Sequence, residues 1–320
     1  MNAPERVVAV AGAGPARQAE SGLAFLSLMG SGLVWGLSWW PLKFFAESGL
    51  SGHAIGLSAY TLVAVVALPL ILRERARWRS EAGLLLLIGL FFGCANMAFT
   101  TALTMGSVVR AMLLFYLLPA WGAIGGALFL GERLGPRRLL AVALSLAGVL
   151  VIMGGLAALR QPLSIADGMA LAAGFCYTAA SIANRKARII PMTSRTLASF
   201  VGCTVVGLVA LLFSTPVFPA LPPATWLLLV LFAFVWLLGG TLLTTYGVTH
   251  VQASRAAVLQ VVELLVAVVS AIWLGNEQLG LKECVGGALI VAATLIEAGN
   301  HSKGCVDEHD HDGPYELDGL

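Results

Sequence analysis

One glutamate, Glu263, stands alone as an ionisable group near the middle of an apolar stretch, AVLQVVELLVAVV over 257–269. A charged side chain at bilayer depth costs roughly 2.5–3.5 kcal/mol on insertion scales, so Glu263 should face the protein interior and have a partner there. Two kinds of chemistry fit it: a carboxylate that holds a solute amine or carries a proton, and a protonated or hydrogen-bonded residue that braces its helix. A tyrosine, asparagine or threonine of the facing half is the expected neighbour. Gln260 lies one turn earlier. Lys43 ends the first apolar stretch, and spacings of four and eight put Trp35, Trp39 and Lys43 on one helical stripe. Lys43 either snorkels to the interface or sets a charge at the extracellular mouth. Tyr177 and Arg185 repeat the eight-residue spacing.

Aromatic and hydroxyl groups supply the remaining chemistry. Trp78, Trp226 and Trp273 lie where interfacial belts are expected. Trp35, Tyr116, Tyr177 and Trp236 lie deeper, where an indole N–H or phenol O–H needs a partner. A cavity lined by such groups could stack a flat ring and hydrogen-bond a polar end, although packed or lipid-facing aromatics read alike in sequence. Asn96 and Thr100, and Tyr177 and Ser181, are i,i+4 pairs on one face, with Asn184, Thr244 and Thr245 also deep. The candidate substrate-binding set is Trp35, Trp39, Lys43, Asn96, Thr100, Tyr116, Tyr177, Ser181, Trp236, Thr244, Gln260 and Glu263.

Enzymatic chemistry lacks the clusters it would need. The chain has no H-E-x-x-H, no G-x-S-x-G and no paired intramembrane aspartates. Gly12-Ala13-Gly14 has no preceding strand and implies no dinucleotide site. The tail DEHDHD at 307–312 reads as a solvated charge run rather than a metal site. No catalytic residue, cofactor or metal is expected.

The elements that must position these residues are membrane helices. The chain is 58% hydrophobic and 11% charged, against roughly 25% charged in ordinary soluble domains. A net charge of +2 gives no argument for nucleic acid. Four of the five cysteines fall in apolar stretches, which argues against a disulfide framework. The run Val7–Ala11 is too short for a signal-peptide core, so no cleavage is expected. A spanning helix needs about 20 apolar residues. Ten fit, over 22–45, 53–73, 82–104, 108–130, 136–156, 163–185, 195–213, 224–248, 254–275 and 281–299. Residues 1–21 and 300–320 read as polar cytoplasmic tails. With the N-terminus inside, fifteen Lys and Arg fall on the cytoplasmic side and four outside, so both termini are expected in the cytoplasm.

The chain also repeats itself. A shift of 145 residues superimposes Thr100 on Thr245, Arg110 on Arg255, Glu132 on Glu277 and Leu134-Gly135 on Leu279-Gly280. Five helices per half is odd, so the halves, 22–160 and 161–299, should be inverted about an axis in the membrane plane, around a central cavity. The loop 131–138 carries three arginines, while its counterpart 275–283 carries Glu277, Glu283 and a single lysine. Gly32/Gly36, Gly89/Gly93 and Gly122/Gly126 have the spacing that lets helix backbones approach.

These features resemble the drug/metabolite transporter superfamily of the EamA type. Leu118-Pro119 through Gly131-Glu132-Arg133-Leu134 matches its fourth-helix ending, and Trp35-Gly36 through Lys43 matches its first helix. Leu264 stands where the ninth helix usually has proline after the glutamate. Leu57-Ser58-Ala59-Tyr60 lacks the common second-helix arginine. The opening GLVWGLSWWPLKFFAESGL is similar to YddG-type exporters of aromatic amino acids. The resemblance implies a multi-pass protein of the bacterial inner membrane that exports small amphipathic metabolites, aromatic amino acids first among them, by alternating access. A broad drug or cation exporter of the same superfamily is the alternative. The partners implied are a small-molecule substrate and the lipid bilayer, with monomer and weak homodimer both open.

Overall fold

The computed structural model describes 15–131, 135–154, 164–212, 219–250 and 253–307, and the described residues are helical with short connections. The helices are α1 (Pro15–Gly36), α2 (Trp39–Glu47), α3 (Gly52–Arg73), α4 (Arg75–Trp78), α5 (Ala82–Met105), α6 (Val108–Phe115) and α7 (Leu118–Leu130). They continue as α8 (Pro136–Ile152), α9 (Ile165–Lys186), α10 (Met192–Ala210), α11 (Pro223–Leu231), α12 (Gly239–His250), α13 (Ala253–Trp273) and α14 (Leu281–Asp307). Among the described residues, seven stretches are long and apolar enough to cross a membrane. They are Gly22–Glu47, Gly52–Arg73, Arg75–Met105, Val108–Phe129, Ile165–Lys186, Met192–Ala210 and Pro223–Gly247. Val261–Trp273 is a shorter apolar helix.

Three spans expected to be continuous are interrupted, and two of the breaks have a proline behind them. Pro41 has no N–H for the Leu37 carbonyl four residues earlier. That carbonyl accepts from the Trp40 amide instead, at 3.1 Å, and α1 gives way to α2. Trp35 therefore lies on α1, while Trp39 and Lys43 lie on α2. Pro119 likewise frees the Phe115 carbonyl, and α6 ends there. Between α11 and α12, Phe232–Leu238 winds as a π-helix. By contrast α13 runs unbroken through Glu263-Leu264, where proline is absent. The helix expected to end at 299 continues through Asp307, so the first part of the polar segment after 299 is helical.

Close packing depends on glycine at a few crossings. A Cβ at Gly36 would sit 2.7 Å from the Glu263 carbonyl oxygen, and one at Gly32 would sit 3.4 Å from the Glu263 amide nitrogen. The first small-residue motif thus seats α1 directly against the backbone of Glu263. Gly93 meets the backbone of Gly202 on α10 in the same way. Gly122, by contrast, faces open space, so the third motif does not carry a helix contact there.

Candidate functional site

A cavity of about 220 Å³ lies between α1, α3, α5, α6, α9, α10, α12 and α13. It brings together six of the twelve candidate residues: Trp35, Asn96, Tyr116, Tyr177, Thr244 and Glu263. Glu263 comes from the second half of the chain, and its carboxyl is hydrogen-bonded by the Tyr116 hydroxyl from the first half. Around this pair the rings interlock at their edges. Phe115 lies 5.6 Å from both Tyr116 and Tyr177, and Phe92 lies 5.6 Å from Tyr177. Such edge-to-face contacts hold the rings in fixed orientations.

The polar groups on the wall are mostly spoken for. The Thr244 hydroxyl donates to the Gly240 carbonyl at 2.9 Å, so it can only accept from Trp35 Nε1 at 3.0 Å and from Ser31 at 2.6 Å. That knot ties α1 to α12. The Tyr60 hydroxyl donates to Asn96 Oδ1 at 2.9 Å, and Asn96 Nδ2 donates to the Phe92 carbonyl at 2.8 Å. Glu263, Tyr177 and Asn96 line the cavity beside these contacts.

The remaining candidates are elsewhere. Trp236 Nε1 donates to the Val34 carbonyl at 2.8 Å, and Trp39 Nε1 donates to Ser270 at 2.9 Å, so both indoles clamp helices together. Thr100 is buried one turn beyond Asn96. Ser181 donates to the Tyr177 carbonyl at 2.8 Å, within its own helix. Gln260 lies on α13, and its side chain is outside the described residues.

Lys43 belongs to a network that closes one end of the bundle. Asn276 takes a left-handed backbone (φ 50°), which turns Glu277 back onto the bundle. Its Oε1 accepts from the Val108 amide at 2.8 Å and from Lys43 Nζ at 3.1 Å. Its Oε2 accepts from the Ser107 hydroxyl at 2.7 Å and from the Val109 amide at 3.1 Å. A carboxylate on the first amides of α6 also meets the positive end of the helix dipole. Burial alone would raise the Glu277 pKa, but the two amides, the Ser107 hydroxyl and the Lys43 ammonium together hold it below the ordinary value of 4.5. Lys43 also sits 5.7 Å over the Trp39 ring. Alongside, Arg110 grips Asp167 through Nε at 2.6 Å and Nη2 at 2.9 Å, joining α6 to α9.

Residues 22–154 and 164–297 each match the EamA-like transporter family. The chain belongs to that family. It carries two copies of the family's repeat, and members of the family are membrane transporters of the drug/metabolite superfamily rather than enzymes. No curated protein matches it. Among solved structures, one described only as "Crystal structure of protein" is similar at a TM-score of 0.55 and 18% identity, over 89% of this chain and 98% of that one. That likeness speaks to the fold alone.

In this EamA-like transporter the cavity also holds a residue that sequence reasoning placed elsewhere. Arg195 counts, by composition, among the basic residues of a cytoplasmic loop. In the structure α10 begins at Met192, which puts Arg195 one turn inside the helix and on the cavity wall with Asn184, Thr196 and Ser199. A strict search for polar residues within one turn of a span's end, rather than beyond it, would have found Arg195.

Proposed function

We propose that this protein exports small amphipathic metabolites, aromatic amino acids first, from the bacterial cytoplasm across the inner membrane. Ten spanning segments form two inverted five-helix halves, 22–160 and 161–299, with both termini in the cytoplasm. The observation that carries the reading is the cavity. It lies between helices of both halves, is walled by interlocked aromatic rings, and has one carboxyl at its depth. It reaches the end of the bundle where α9 finishes and α10 starts, which the basic residues assign to the cytoplasm. The opposite end is shut by Glu277 and by the Arg110–Asp167 pair. This arrangement fits an inward-facing stage of alternating access.

A zwitterion suits the site because it brings an aromatic ring without net charge. The runner-up is a hydrophobic cation exporter, favoured by Glu263, whose carboxyl could compensate a positive charge. Purified protein in proteoliposomes discriminates the two. Counterflow of labelled phenylalanine, tyrosine or tryptophan, unaffected by a hydrophobic cation such as tetraphenylphosphonium, is expected. Counterflow of the cation without any aromatic amino acid would replace the first reading by the second.

A further inference from the structure

Resting on the amino-acid reading above, we propose that Arg195 recognises the α-carboxylate of the transported solute. Its Nη1 donates to the Asn184 carbonyl at 2.9 Å and to Asn184 Oδ1 at 3.1 Å, which fixes the guanidinium against the end of α9. The other edge of the fork, Nε and Nη2, is left over. Nε is buried and has no hydrogen-bond partner. Among the described residues the ion pairs are Lys43–Glu277 and Arg110–Asp167, so no described carboxylate neutralises Arg195. A buried donor on a charged group is costly to leave unmade.

The chain itself shows what that edge binds. Arg110 uses the same Nε and Nη2 atoms to hold both oxygens of Asp167. Two parallel N–H donors match a planar carboxylate, a geometry that an ammonium cannot reproduce. One turn further along α10, Ser199 also lines the cavity and gives its proton to the Thr196 carbonyl at 2.7 Å. Its oxygen is therefore left as an acceptor, suited to the ammonium of the same solute. Residues i and i+4 share one helix face, so Arg195 and Ser199 address the same part of the cavity. The side chain of the solute then points toward Phe92 and Tyr177. In this arrangement Glu263 stays with Tyr116 and is not the amine's partner. As the carboxylate arrives, the guanidinium exchanges its Nη1 bonds to Asn184 for it, which turns Nε, buried in this structure, toward the cavity.

The test compares phenylalanine with phenylalaninamide, which keeps ring and amine but lacks the carboxylate, in proteoliposomes. Wild-type protein should prefer phenylalanine by about tenfold or more, as expected for charge-assisted hydrogen bonds. Arg195→Gln should lose that preference, and Arg195→Lys should keep part of it, with both variants retaining the wild-type unfolding temperature. Should Arg195→Gln fail to fold, wild-type binding decides: phenylalanine and 3-phenylpropionate should both displace labelled substrate, and phenylalaninamide should not. A wild-type protein that carries both solutes equally, or an Arg195→Gln protein that keeps the full preference, overturns the assignment while leaving the exporter reading intact. Absence of any aromatic amino-acid transport in wild type overturns both.

Discussion

Replacing Glu277 should open the outer end of the bundle. The carboxylate receives four hydrogen bonds, two of them from the first amides of α6. Losing an N-terminal cap costs about 0.5–2 kcal/mol, and losing hydrogen bonds to a charged group costs about 1.5–3 kcal/mol. The Lys43 pair adds about 1 kcal/mol at most, because both side chains are partly solvated. These terms overlap, so about 3 kcal/mol is a fair total for Glu277→Ala, or roughly 100-fold in the ratio of open to closed outer ends. Glu277→Gln keeps one acceptor oxygen and should give roughly tenfold. The assay is labelling of a single cysteine at Ser199, on the cavity wall, by a membrane-impermeant maleimide from the external face. The closed form holds the Glu277 pKa below its free value of 4.5, so its contribution is complete above 4.5 and is lost as the pH falls through the lower, closed-state value. Wild-type labelling, normalised at each pH to a freely exposed thiol, should thus be flat from about pH 6 to about pH 8 and rise only in strong acid. A well-folded Glu277→Ala protein with unchanged external labelling would refute the latch.

Further outcomes follow from other contacts. Glu263→Gln preserves an acceptor for Tyr116 and should keep both folding and most transport, whereas Glu263→Leu should lower the unfolding temperature and impair transport; a folded, inactive Gln variant would instead make ionisation essential. Gly36→Val drives a branched side chain into the Glu263 carbonyl and Val266, and overpacking of this kind costs about 1–3 kcal/mol, readable as a drop in thermal midpoint. Trp35→Phe removes one of two donors to Thr244 and should cost about 1 kcal/mol of stability with little change in ring stacking; an unchanged midpoint would show the knot to be inert. Cysteines at 73–81 and at 185–195 should resist external labelling in intact cells, and labelling there would overturn the proposed topology.

Hydropathy brought the all-helical class and seven apolar spans among the described residues into view, because lipid imposes helices on any long apolar run. The positions of Gly32, Gly36, Gly89 and Gly93 also marked real helix contacts. What escaped was local. The break after Gly36 depends on a single missing N–H at Pro41, and it puts Trp35 on a different helix from Trp39 and Lys43. Trp39 and Trp236 carry the residue types of a solute-binding aromatic, yet their N–H groups are satisfied by Ser270 and by a backbone carbonyl. Sequence cannot tell a ring that waits for a ligand from one that has already found its partner. Arg195 escaped for a different reason: with the span expected to start at 195, it stands at the boundary and counts among the flanking basic residues, whereas α10 starts at Met192.

The wide turn at Phe232–Leu238 has a consequence for the cycle as a whole. Its counterpart on the first repeat falls in α5, which winds as a regular helix from Ala82 to Met105. One repeat therefore carries a wider turn that the other lacks, and the two cannot be superimposed residue for residue through this region. Two identical halves would leave a carrier indifferent to the direction it faces. In the alternating-access cycle proposed above, the two orientations would be built from unequal parts, and equal energies with no solute and no gradient would not be expected of them. On that proposal the resting side of the carrier is biased by the winding of one helix.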